Sequence, residues 1–135
     1  MEKTMINIKS IFTGVSHNDV FRVLVEPVWP RKAPRETTIL DVWLRYLAPS
    51  PGLYNLYSHD LINWEDFVTR YHQELERHRN YFKDLQDHNH NGGLTLIHGS
   101  CDDERNTAVA LKMFLEKNDT APGNNRGILP TSVPV

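Results

Sequence analysis

The chain has 135 residues, a formal net charge of −2 and one cysteine. That length holds one domain with one core, the charge argues against a general nucleic-acid-binding surface, and a lone cysteine excludes an internal disulfide. No apolar run approaches the ~18 residues of a membrane helix and MEKTMINIKS lacks the apolar stretch of a secretory signal, so a cytoplasmic protein with no membrane contact is expected.

In chain order, residues 5–12 alternate apolar and polar at Ile6, Ile8, Ile11 and Phe12, which predicts a strand. The polar link from Thr13 to Val20 is too short for a crossover helix. The first two strands should therefore be antiparallel if adjacent, or else not be neighbours. Val23, Leu24 and Val25 form a continuous run that suits a strand covered on both faces. Arg22 and Glu26 bracket it, and Pro27 cannot donate to a ladder, so pairing should end there. Trp29-Pro30-Arg31 reads as an extended turn.

From Pro34 onward, Ile39, Leu40, Trp43, Leu44 and Leu47 recur at helical spacing and predict a helix stopped by Ala48-Pro49-Ser50-Pro51-Gly52. Leu53 to Tyr57 reads as a short helical turn, followed by His59-Asp60 in a loop. Asn63 then caps a long helix over 63–86, with Trp64, Phe67, Val68, Tyr71, Leu75, His78, Phe82 and Leu85 on one stripe. His78 interrupts that stripe and is read as a partly buried histidine rather than a ligand. Residues 87–93 form a polar loop. Leu94 to Ile97 is a strand, and Gly99 to Asp102 leads into a helix carrying Ala108, Leu111, Met113, Phe114 and Leu115. Residues 118–135 lack periodicity and are expected to be a flexible tail. The expected fold is α/β: a single domain over 1–117, with a short sheet of about three strands packed by three main helices.

In open α/β sheets ligands gather beyond the carboxyl ends of strands. Glu26 and Trp29 follow one predicted strand, and Ser100 and Asp102 follow another, so these groups converge if the strands are parallel neighbours. Arg22, Trp29, Arg31, Ser100 and Asp102 are the candidate ligand-binding residues. Glu26, His59 and Asp60 are the candidate acid-base groups. The competing structural reading has Trp29 packed under its turn and Arg31 paired with a carboxylate. Gly99-Ser100 at a helix start could present free amides to an anion, but Asp102 and Asp103 would repel it and read better as caps. Those acids and Glu104 also disfavour a thiolate at Cys101. His72 and His78 stand ~240° apart on a helix, unlike a zinc-binding pair, and His88-x-His90 has no partner at a diagnostic spacing. Neither a metal nor a cofactor is expected.

RVLVEPVWPRK resembles the RVLVDRLWPRG signature of the domain of unknown function 488 family, in its YeaO-like branch. DVWLRYLAPS, His59-Asp60, NWEDFVTRY and TLIHGSCDDERNTAVALKMFLE continue the likeness in order, over roughly residues 5–116. The resemblance implies a small single-domain α/β protein and supports Trp29, Pro30, Arg31, Asp41, His59, Asp60 and Asp102 position by position. It also marks departures: Glu26 for the usual Asp, Pro27 for Arg, and Lys32 for Gly. Losing that arginine removes a planar donor suited to phosphate or carboxylate. The resemblance leaves open whether the chain is an enzyme. The expectation is a domain that binds or acts on a small polar or phosphate-bearing molecule at the strand ends, with the His59-Asp60 loop as its lid. The alternative is a non-catalytic interaction or regulatory protein acting through a protein partner or a homodimer.

Overall fold

The computed structural model describes residues 6–118, so the expected tail lies, Asn118 apart, outside them. Four strands form one sheet: β1 (Ile6–Ser10), β2 (Arg22–Leu24), β3 (Val42–Trp43) and β4 (Leu94–His98). The order is β1-β4-β2-β3 and every pairing is parallel. Last in sequence, β4 lies at the centre, with Leu94 to His98 all buried. It separates β1 from β2, which resolves the short link between them: the two are not neighbours, and the antiparallel option does not arise. The fold is the expected small single-domain α/β type, with four strands where about three were expected.

The additional strand comes from the segment expected to be a helix. Asp41 N–H donates to the Arg22 carbonyl at 2.8 Å and Leu44 N–H to the Leu24 carbonyl at 2.9 Å, extending the ladder on both sides of β3. Local spacing loses here to tertiary pairing, as short apolar runs allow. Between Pro34 and Thr38 the chain makes only turns, and the Thr38 hydroxyl donates back to the Pro34 carbonyl. A 3-10 turn (Arg45–Leu47) follows β3.

Four α-helices replace the expected three: α1 (Pro51–Ser58), α2 (Trp64–Glu76), α3 (Arg79–His90) and α4 (Thr107–Lys117). The expected single helix over 63–86 is broken. At the break Arg77 and His78 make tight bonds to the carbonyls of Glu74 and Leu75, and His78 leaves helical geometry at φ −120°, ψ 40°. No Gly or Pro marks the site. The polar intrusion of His78 is the one local sign, and the residue is exposed rather than partly buried. The bend lets Phe82 and Leu85 reach the same core as Phe67, Tyr71 and Leu75. Residues 87–90, expected in a loop, complete α3, and Gly92 and Gly93 turn the chain into β4 with positive φ. Among the described residues no helix is long and apolar enough to cross a membrane.

Alternation along the strands divides the core. Val23, Val25, Leu94 and Leu96 join residues of all four helices. Leu24 and Ile97 join Ile11 and Ala33, with Trp29, Leu40 and Trp43 packed against them. The helices therefore cover one face of the sheet, and the Trp29–Trp43 segment covers the other.

Phe67 is 1% exposed at the centre of the helical face. Phe67→Ala is expected to cost ~3–5 kcal/mol in urea unfolding, whereas Leu61→Ala, at a site 69% exposed, should stay within about 0.5 kcal/mol. Equal effects at the two positions would contradict this assignment of the core.

Candidate functional site

Because β2 and β4 are parallel neighbours, their carboxyl ends release the chain side by side. Val25 N–H still reaches the Ile97 carbonyl at 3.2 Å, so Glu26 emerges next to Gly99. Glu26 Oε2 accepts the Gly99 N–H at 2.9 Å. The carboxyl is enclosed, with the residue 4% exposed, and Oε1 has no hydrogen-bond partner. Burial pushes its pKa up to about 7, opposed by the Gly99 amide and by Thr107. Two tyrosines stand within its electrostatic reach. Burial, with a contribution from Glu26, pushes Tyr54 up to about 12 and places Tyr71 well above its usual range. Tyr71 donates its hydroxyl to the Leu47 carbonyl.

The Trp-Pro-Arg turn closes over this junction. A Cβ on Gly99 would stand 2.6 Å from the Pro30 ring, so only glycine fits beneath that proline. Trp29 donates its indole N–H to the Ala33 carbonyl at 2.8 Å and meets Trp43 edge-on at 5.5 Å. Trp43 in turn donates to the Glu26 carbonyl at 2.8 Å. Arg35 lies 4.7 Å from the Trp29 ring centre, and Arg45 lies 4.0 Å from that of Trp43. Arg31 is exposed and has no hydrogen bond or ion pair among the described residues.

On the other side, the expected helix start at Gly99–Asp102 is a loop. Helix α4 begins at Thr107, capped by Asn106, whose Oδ1 accepts from Val109 N–H at 2.9 Å. Asp102 stabilises the loop instead. Its Oδ1 accepts from the Glu104 and Arg105 amides, and these bonds hold its pKa below the usual carboxylate range. Ser100 Oγ accepts from Asp102 N–H at 2.9 Å.

His98, which the sequence reading did not single out, is 1% exposed at the end of β4. Its Nδ1 accepts from Ser100 N–H at 3.0 Å, leaving the proton on Nε2, 3.9 Å from Asp103. Burial lowers its pKa, with Asp103 and Asp102 opposing. A histidine directly after an apolar strand was the available signal.

Arg22 lies at the opposite, amino end of β2. Its Nη1 donates to Asp19 at 2.6 Å and its Nε to the Ile39 carbonyl at 2.7 Å, while its amide donates to Asp41 Oδ2. Its guanidinium therefore anchors loops away from the strand-end turns. His59 caps α1 with Nδ1 2.9 Å from the Asn55 carbonyl, and Asp60 follows at φ 59°. Both are exposed. Tyr57 feels the charges of Asp102 and Asp60, so their loops share one edge of the domain; its pKa is raised, first by burial and then by Asp102.

Three cavities of 380, 340 and 440 Å³ lie elsewhere, and none has Trp29, Arg31, Ser100 or Asp102 in its wall. Among the described residues no group of three His, Cys, Asp or Glu is placed to hold a metal.

A family model described as the inactive DUF488-N3 subclade matches residues 5–132. The chain is similar to the uncharacterized protein YeaO of Escherichia coli (strain K12), with 27% identity over 110 residues, 82% of this chain and 96% of that protein. It is also similar to the uncharacterized protein Rv3073c of Mycobacterium tuberculosis (strain ATCC 25618 / H37Rv), with 27% identity over 75 residues, 56% of this chain and 64% of that one. No solved structure matches it.

The raised pKa of Glu26 has a signed consequence. Between its unfolded value of 4.5 and about 7 the folded state binds more protons, so its contribution is present at low pH and lost as pH rises through 7. His72 and His98, both lowered by burial, act in the opposite sense, losing stability as pH falls below 6.5. Comparison with Glu26→Gln isolates the carboxyl. From pH 5 to pH 8 the wild type should lose roughly 2.5 kcal/mol relative to that variant in chemical denaturation. Parallel stability profiles would show that the carboxyl titrates normally.

Proposed function

The chain belongs to the DUF488-N3i family, the inactive DUF488-N3 subclade, and on that basis we propose that it is a non-catalytic binding protein. One observation carries this reading: the Glu26 carboxyl, the strongest acid-base candidate, is enclosed and hydrogen-bonded to the backbone of the adjoining turn. A general acid or base must come within about 2.6–3.2 Å of the proton it moves. Glu26 meets Gly99 instead, and the Pro30 ring packs over that glycine. His59 faces a backbone carbonyl, and Pro27 stands where the related signature has arginine. Glu26 thus serves as a joint between two turns, and the function rests on binding a small polar ligand. Arg31, exposed beside that joint, supplies charge at its rim, with Trp29, Ser100 and Asp102 shaping the turns around it.

A second reading, contact with a protein partner or a second copy, is favoured by Val28 and Ile39. Each is about 60% exposed on the segment that covers the sheet face without helices.

A thermal-shift screen of metabolites, run with generic phosphatase, esterase and nucleosidase substrates, tests the proposal. Stabilisation by a ligand without product formation is the expected result. Turnover that disappears in Glu26→Gln would contradict it. Tight self-association in light scattering, with no ligand hit, would favour the second reading.

A further inference from the structure

The break between α2 and α3 has a chemical consequence. It brings Arg77 and His78 into the wall of the 380 Å³ cavity, together with Arg45 and Tyr46 of the 3-10 turn and Pro27, the residue after Glu26. That volume falls within the range of small-molecule sites. Arg45 and Arg77 are exposed, and neither guanidinium has an ion pair or hydrogen bond among the described residues. The one carboxylate in the wall, Glu74, already accepts from Ser50 N–H at 2.8 Å and Ser50 Oγ at 2.6 Å. Its charge is directed at the start of α1. His78, the N-cap residue of α3, is in the wall, so the positive end of that helix dipole lies near it. Tyr46 is 67% exposed and stacks on Tyr81 at 5.4 Å, presenting a flat aromatic surface beside these cations.

We propose that this cavity binds a small organic anion, a phosphate or carboxylate carried on a planar ring. Arg77 and Arg45 meet the anion, and Tyr46 meets the ring. Guanidinium donors match the geometry of either oxyanion, and an aromatic wall favours a ring-bearing ligand over a bare ion. The inference rests on the binding-protein reading and adds a second site, separate from the Arg31 rim.

The test is an amide-resolved NMR titration of the full chain with adenosine 5′-monophosphate, benzoate and inorganic phosphate as probes. Saturable shifts should centre on residues 45–50 and 74–79 with the two ring-bearing anions. The affinity should drop about tenfold in Arg77→Gln, weaken further in ~0.5 M salt, and be unchanged in Lys112→Gln, which lies outside the cavity wall. Arg77 is exposed at a helix end, so an unchanged melting temperature separates lost binding from lost folding. Shifts centred on 29–32 and 99–102, no shifts, or normal binding by Arg77→Gln would overturn the site. Equal affinity for inorganic phosphate would overturn the role given to Tyr46. Binding here alongside Glu26-dependent turnover would leave this site standing and sink the non-catalytic reading. An inactive chain that ignores all three probes would do the reverse.

Discussion

The hydrogen bond from Gly99 N–H to Glu26 Oε2 ties together the two turns on which the carboxyl edge of the sheet depends. It spans β2 and β4 where their ladder ends, and three further contacts converge on it. Pro30 lies over Gly99, Trp43 holds the Glu26 carbonyl, and Trp29 braces Trp43. One residue therefore joins the end of β2, the start of the 99–106 loop and the segment that covers the second face of the sheet. The cost lies in the carboxyl itself. Oε1 is buried without a partner, and burial favours the protonated form.

That arrangement engages groups that an open parallel sheet usually offers to a ligand. Strand ends normally leave backbone and polar groups free for a ligand. Here Gly99 N–H, Ser100 Oγ and the Asp102 carboxylate all have internal partners. Open volume appears where α2 gives way to α3 and where the chain leaves the edge strand β3, and there Arg45 and Arg77 line one cavity.

Much of the architecture could be read from residues. The Val23–Val25 and Leu94–Ile97 runs specified two buried strands, and their parallel pairing brought Glu26 to Gly99 as the strand-end argument required. Asn63 does cap α2, with its Oδ1 accepting from Asp66 N–H at 2.8 Å. The misses have physical causes. Strand β3 is two residues long within a stretch of helical spacing, and only its bonds to β2 reveal it. The α2–α3 break contains neither Gly nor Pro, so periodicity ran through it. The α4 cap at Asn106 was hidden behind the earlier Asp102 and Asp103, which are equally good caps by residue type. Arg22 looked available because it adjoins the apolar run, but strand direction puts it at the far end of β2 from the turns. The cavity beside Arg77 depends on the break and on the 3-10 turn, so no local pattern could announce it.

The central claim is that Glu26 is an enclosed carboxyl that joins the two turns. Its carboxyl-carbon NMR titration tests this directly, with Glu26→Gln assigning the resonance. A midpoint near 7 is the predicted result, set by enclosure and opposed by the Gly99 amide and by Thr107. A midpoint near 4.5, the ordinary value, would mean that water reaches the carboxyl and that the joint between the two turns is open.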